Sequence, residues 1–147
     1  MVEIITNSAK ETIALGKKLG EQLKGGEVIA LRGNLGTGKT HLIKGIAAGA
    51  GVEESDIINS PTFVLVNEYQ GRFMLFHIDA YRLENEKDFE HLGFDDMTGP
   101  VSVVLIEWAD KVENVLEGVN AIDVSLYHDG TSSRKIRFDN LPGYVRL

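Results

Sequence analysis

Eight consecutive residues, Gly33-Asn34-Leu35-Gly36-Thr37-Gly38-Lys39-Thr40, constrain this chain more than any other stretch. Their spacing is G-x-x-x-x-G-K-T, a phosphate-binding loop. Gly33, Gly36 and Gly38 permit positive φ and leave no Cβ between the backbone and an anion, so successive N–H groups turn inward as a nest. Lys39 adds a charge that reaches the β and γ phosphates, and the Thr40 hydroxyl is placed to bind Mg²⁺. The flanks agree with this reading. Val28-Ile29-Ala30-Leu31 is a short apolar run that fits a buried parallel strand. Ile43, Ile46, Ala47 and Ala50 fall at i, i+3, i+4 and i+7, which predicts a helix that Gly51 stops as its C′ residue. That helix would aim the positive end of its dipole at the phosphates. A nucleoside triphosphate site with Mg²⁺ is therefore expected.

At 147 residues the chain fits one compact α/β domain, 1–147. It is short for a phosphate-loop enzyme and leaves little length for a lid, which weighs against a nucleotide kinase. Its six arginines, at 32, 72, 82, 134, 137 and 146, are few for neutralising a phosphorylated acceptor. The net charge is −7 and the basic residues are dispersed, so contact with nucleic acid is expected only through a partner protein. No cysteine is present, which excludes disulfides and cysteine-based zinc sites. Neither a signal-peptide pattern nor an apolar run of membrane-spanning length is visible, and a cytoplasmic, membrane-free setting is the expectation.

Val2 to Ile5 reads as a strand, followed by a polar turn, Thr6-Asn7-Ser8. Ser8 with Glu11 forms a capping box, Leu15, Leu19 and Leu23 form the buried stripe of a helix, and Gly25-Gly26 ends it. Val52 to Asn59 reads as a polar connection. Ser60-Pro61-Thr62-Phe63 follows, either an extended lead into a strand or a switch-like segment whose Thr62 meets the γ-phosphate or the metal. Thr62 to Tyr69 and Phe73 to Ile78 read as an antiparallel hairpin turned at Gln70-Gly71-Arg72. The second run ends in Asp79 and the most hydrophobic strand, Val101 to Trp108, contains Glu107 near its end. An acid at a strand's carboxyl end is what a metal- or water-positioning role beside a phosphate loop requires. One of the two would hold Mg²⁺ and the other position water; the spacing does not assign them. His77 alternates with Asp79 and faces the same way. Trp108 would sit close to the metal. Glu84 to Leu92 reads as an acidic helix, Asp110 to Leu116 as a short one, and Ala121 to Tyr127 as a strand paired with Lys135 to Phe138 in an edge hairpin. The tail from Leu141 looks peripheral. The fold expected is thus a three-layer α/β, P-loop NTPase-like domain whose mixed sheet includes antiparallel hairpins.

In order, G-x-L-G-x-G-K-T, S-P-T-F, H-x-D-x-Y-R and I-E-W resemble the TsaE (YjeE) family of bacterial P-loop ATPases over essentially the whole chain. The resemblance implies an ATP-binding, ATP-hydrolysing accessory protein for making N6-threonylcarbamoyladenosine at position 37 of tRNAs that read ANN codons. It implies association with a TsaD–TsaB heterodimer, in which TsaD performs the transfer. Carried onto this chain, Lys39 binds the phosphates of ATP or ADP, Thr40 and Glu107 ligate Mg²⁺, Asp79 is the catalytic acid, and Thr62 belongs to the switch-like segment. Trp108 lies beside the nucleotide, with Thr6 to Ser8 and Arg134 as adenine-side neighbours. No arginine finger is evident, which suggests slow hydrolysis without a partner, since such a finger is worth roughly 10³–10⁵ in rate. Two other functions fit a phosphate loop: a small-molecule kinase, and a binding module gated by nucleotide.

Overall fold

The computed structural model describes residues 1–34, 36–58 and 64–147. Leu35 of the phosphate loop and the segment Asn59 to Phe63, with Thr62, lie outside the described residues. The elements in chain order are β1 (Val2–Thr6), α1 (Ala9–Gln22), β2 (Val28–Arg32), α2 (Lys39–Gly49), α3 (Glu54–Ile58), β3 (Val66–Gln70) and β4 (Met74–Asp79). A 3₁₀ turn (Ala80–Arg82), α4 (Glu86–His91), α5 (Phe94–Met97), β5 (Ser102–Glu107), a second 3₁₀ turn (Ala109–Val112), β6 (Ala121–Asp129) and β7 (Ser133–Asp139) complete it.

The described strands form one mixed sheet in the order β1-β7-β6-β2-β5-β4-β3. β6, β2, β5 and β4 run parallel at its centre. Antiparallel pairs, β3 with β4 and β6-β7-β1, extend it on both sides. Alternation along each central strand divides the core in two. Ile29, Leu31, Leu75, Val103 and Leu105 pack under α1 and α2. Val28, Ala30, Ile78, Val104 and Ile106 pack against Phe89 of α4, Phe94 of α5 and Val112. This is the expected three-layer α/β arrangement. The register brings Leu31 and Asp79 level with Glu107, so β2, β4 and β5 end together. Their shared carboxyl edge is where an open α/β sheet presents a ligand crevice.

Helices α1 and α2 pack backbone to backbone. A Cβ at Gly16 would stand 2.4 Å from the Leu42 carbonyl oxygen, and one at Gly20 2.2 Å from that of Ile46. From the other side, a Cβ at Gly45 would lie 2.1 Å from the Ile13 oxygen and one at Gly49 2.2 Å from that of Lys17. Each helix thus carries G-x-x-x-G on its contact face. The contacts advance together along both chains, so the helices run parallel and their N-termini meet at the crevice. At the far end the Arg72 guanidinium donates to Gly49, at 2.6 Å, and to Gly20 and Leu23, at 2.9 and 3.0 Å, satisfying terminal carbonyls of both helices.

Several expectations shift in detail. Ser8 caps α1 through the Glu11 amide at 3.1 Å, but the Glu11 carboxylate takes the amide of Asn7 rather than that of Ser8. α1 ends at Gln22, ahead of the glycine pair, because the chain turns extended at Leu23 (ψ 144°). α2 ends as expected: Gly51 (φ 91°) and Val52 donate back to Ala48 and Ala47 in a Schellman motif. The polar connection after it contains α3. β7 is not an edge, since β1 covers it over five register pairs. The C-terminal tail is docked rather than peripheral. Val145 is buried, Gln22 and Arg146 exchange side-chain-to-backbone hydrogen bonds, and the Tyr144 hydroxyl donates to Glu27. Among the described residues no helix is long and apolar enough to cross a membrane.

Two outcomes are expected. Gly45→Ala forces a methyl into the Ile13 carbonyl and should lower stability in urea unfolding by about 1–3 kcal/mol. Burial and the Glu27 carboxylate push the Tyr144 phenol up to about 12 from its ordinary 10. The neutral phenol is favoured by folding, so its contribution is complete below pH 10 and fades as pH rises through 12. Tyr144→Phe should flatten the alkaline fall of the unfolding midpoint across that window.

Candidate functional site: a phosphate loop and a strand-end glutamate

The phosphate loop leaves β2 at Arg32 and becomes α2 at Lys39. Gly36 (φ 78°) and Gly38 (φ 96°) adopt left-handed conformations that a side chain would oppose. Gly38 is the N-cap of α2 and offers no side chain to its first-turn amides. Those amides and the helix dipole therefore point at the crevice. Thr37 is buried. Its hydroxyl donates to the Asn34 carbonyl at 2.6 Å, so it closes the loop on itself.

Lys39 is 5% exposed. Its Nζ donates to the Gly33 and Asn34 carbonyls, the latter at 3.0 Å, and lies 3.6 Å above the centre of the Trp108 ring. Burial lowers its pKa, against the fields of Glu107, Asp110 and Asp79, which raise it. The ammonium is thus held by carbonyl dipoles and an aromatic face in a place that would reward a stronger anionic partner. Trp108 holds its position through a left-handed backbone (φ 61°, ψ 43°) immediately after β5. Its ring meets that of Tyr81 at 4.8 Å, and Lys111 Nζ sits 4.7 Å from the outer Tyr81 ring. Two stacked rings, Trp108 and Tyr81, are thus flanked by two ammonium groups, Lys39 at the loop and Lys111 on the outer side.

The two strand-end acids are engaged differently. Glu107 lines the crevice, and its Oε1 is 3.0 Å from His77 Nε2 on the neighbouring strand. Asp79, level with it in register, is turned to local work. Its Oδ1 accepts from the Tyr81 amide at 3.1 Å and its Oδ2 lies 3.3 Å from Arg82 Nε. Asp79 does not line the crevice, although its charge is felt at Lys39.

The crevice has a volume of about 280 Å³. Gly36 to Lys39, Thr40, Glu107 and Trp108 line it, as expected from the sequence, and so does Arg134 at the start of β7. Thr6 stands behind the wall: it is 3% exposed and its hydroxyl is 2.7 Å from that of Thr12, which does line it. Ser8, Ala9, Thr12, His41 and Ser132 also line it. Of these, sequence reasoning placed only Ser8 near the ligand, within its polar turn. The others belong to first turns of helices and to a loop, and only the G-x-x-x-G spacing, which sets α1 beside α2, could have drawn Ala9 and Thr12 in.

Thr40, from the start of α2, and Glu107, from the end of β5, line the same crevice and are of the kind that holds Mg²⁺. Among the described residues no three His, Asp or Glu side chains converge as a cage. Mg²⁺ is commonly bound through one or two protein groups, with substrate phosphates and water completing its shell.

The family model for the threonylcarbamoyl adenosine biosynthesis protein TsaE matches residues 6–136. The chain is 38% identical over 127 residues to the tRNA threonylcarbamoyladenosine biosynthesis protein TsaE of Treponema pallidum, covering 86% of this chain and 93% of that one. It is also 38% identical over 134 residues to the protein of that name from Bacillus subtilis, covering 90% and 82%. A crystal structure of Bacillus subtilis YdiB superposes with a TM-score of 0.72 at 30% identity, over 93% of this chain and 83% of the other. A phosphate loop opposed by a strand-end glutamate is thus found in a chain whose sequence and fold agree with the same set of proteins, and the chain belongs to the TsaE family, nucleotide-binding proteins of tRNA threonylcarbamoyladenosine biosynthesis.

Proposed function

We propose that this chain is a Mg²⁺-dependent ATPase that serves threonylcarbamoylation of adenosine 37 in tRNAs reading ANN codons, working in the cytoplasm with a TsaD–TsaB heterodimer. The observation that carries the ATPase reading is the common crevice of Lys39, Thr40, Glu107 and Trp108, drawn from the start of α2 and the end of β5. In this reading residues 1–147 act as a single domain. The net charge of −7 favours contact with tRNA through partners rather than directly.

The amides of Gly33 to Thr40, with Asn34 and Leu35 among them, cradle the phosphates of ATP or ADP. Lys39 exchanges its two loop carbonyls for phosphate oxygens and so recovers the solvation that burial removed. Thr40 and Glu107 would hold Mg²⁺, which when bound supplies neutralisation of charge on the terminal phosphates. His77 keeps the Glu107 carboxylate turned to the crevice. Asp79 acts as the catalytic carboxylate that positions water once the ligand or a partner brings it to the reacting atoms, and Thr62 is contributed by the switch-like segment. Trp108 covers the phosphate end. Arg134 flanks the nucleoside end, and Thr6 supports that wall through Thr12.

With γ-labelled ATP, label is expected in free phosphate alone; label on an added small-molecule acceptor would support a kinase. Glu107→Gln should reduce phosphate release by about 10²-fold while leaving the unfolding midpoint near that of the unaltered chain, and unchanged turnover would reject the role given to Glu107. Lys39→Ala should lose nucleotide binding itself. His77→Ala should lower kcat by about tenfold, at the lower end for groups that orient a ligating side chain, with KM for ATP changed less than about twofold. Steady-state phosphate release checks both parameters.

A further inference from the structure

Tyr81 is the aromatic residue of H-x-D-x-Y-R, and it is 49% exposed, so core packing does not account for it. The level register of Asp79 with Glu107 sets the turns after β4 and β5 side by side, with Tyr81 in the first and Trp108 in the second. The Tyr81 amide donates to Asp79 Oδ1 at 3.1 Å, which fixes the first turn. The Tyr81 ring then lies 4.8 Å from that of Trp108, tilted by 46°. An aromatic pair in such an arrangement stabilises beyond the area it buries.

Trp108 needs a support of this kind. Its backbone is left-handed (φ 61°), a conformation that a side chain opposes and that surrounding contacts have to maintain. Its indole is only partly buried against the core, and its face carries the Lys39 ammonium at 3.6 Å. Among the described residues the ring that meets the indole is Tyr81. We propose that Tyr81 is a positioning residue for the nucleotide site: its ring holds the Trp108 indole against Lys39 and so sets where the ammonium meets the phosphates. This rests on the phosphate-loop reading above and gives H-x-D-x-Y-R a task beside that of Asp79. Tyr81 does not line the crevice, whereas Trp108 and Lys39 do, so it acts through the indole. The contact is made by the ring, which leaves the hydroxyl dispensable.

A double-mutant cycle, read by calorimetric titration of the full chain with Mg-ATP and Mg-ADP, tests this. Tyr81→Ala should weaken both nucleotides by about fivefold, within the range for one aromatic pair. Tyr81→Phe should bind them as the unaltered chain does. In a Trp108→Ala background, Tyr81→Ala should weaken binding by less than about twofold more, because the contact it removes is already gone. Trp108 is the single tryptophan, so its emission reports the contact in the nucleotide-free chain. Tyr81→Ala should move that emission to longer wavelength and make it easier to quench with acrylamide, and Tyr81→Phe should do neither. Fully additive losses in the double variant would overturn the assignment. So would an equal loss in Tyr81→Phe, or affinity and emission that Tyr81→Ala leaves unchanged. If Tyr81→Ala does not fold, Tyr81→Leu, which keeps apolar bulk without a ring, takes its place with the same expectations. Failure of the unaltered chain to bind either nucleotide would overturn the phosphate-loop reading and this assignment with it, whereas additive losses in a chain that does bind overturn the assignment alone.

Discussion

The close contact between α1 and α2 sets most of what is functional in this fold. Two parallel helices at backbone distance place their like dipole ends side by side, which is electrostatically unfavourable at both ends. The chain resolves the two ends differently. At the C-termini the positive guanidinium of Arg72 binds carbonyls of both helices. At the N-termini, Ser8 and Glu11 cap α1, while α2 begins at a glycine with no capping side chain. Uncompensated positive potential therefore collects where the loop opens into the crevice, and it suits an anion. Gly16, Gly20, Gly45 and Gly49 make this possible, because any side chain on the contact face would separate the helices and their ends.

The groups around that potential are held in place before any anion arrives. Lys39 rests on its own loop and on Trp108, and Glu107 rests on His77. Neither has to be recruited from solvent. Such preorganisation reduces the ordering that binding must otherwise impose. The non-glycine left-handed backbone of Trp108 belongs to the same arrangement: it turns the chain sharply at the end of β5 and lays the indole over the ammonium group. Asp79 follows a different logic. Its carboxylate is spent on the turn that follows β4, so proximity in the sheet register does not bring it to the crevice.

Local patterns carried much of this into the sequence. The phosphate loop, its strand and its helix were legible because a fixed spacing of glycines, a lysine and a threonine sits between an apolar run and a helical stripe. Glu107 was legible as an acid closing a strand. What escaped depends on contacts between distant segments. That Asn120 to Asn140 would not end in an edge hairpin depends on β1, more than a hundred residues earlier, choosing β7 as its neighbour. The docking of Tyr144 depends on a buried Glu27 that nothing nearby in sequence announces. Thr12 and His41 escaped because each lies in an ordinary helical turn, and only the packing of one helix on another turns them toward a shared space.

Arg72 also has a mechanical meaning. One rigid planar cation fastens the rear of both helices, and bare backbone joins them along their length. Because Arg72 sits in the turn between β3 and β4, the same guanidinium also ties that hairpin to the C-terminal ends of both helices, at the far end from the phosphate loop.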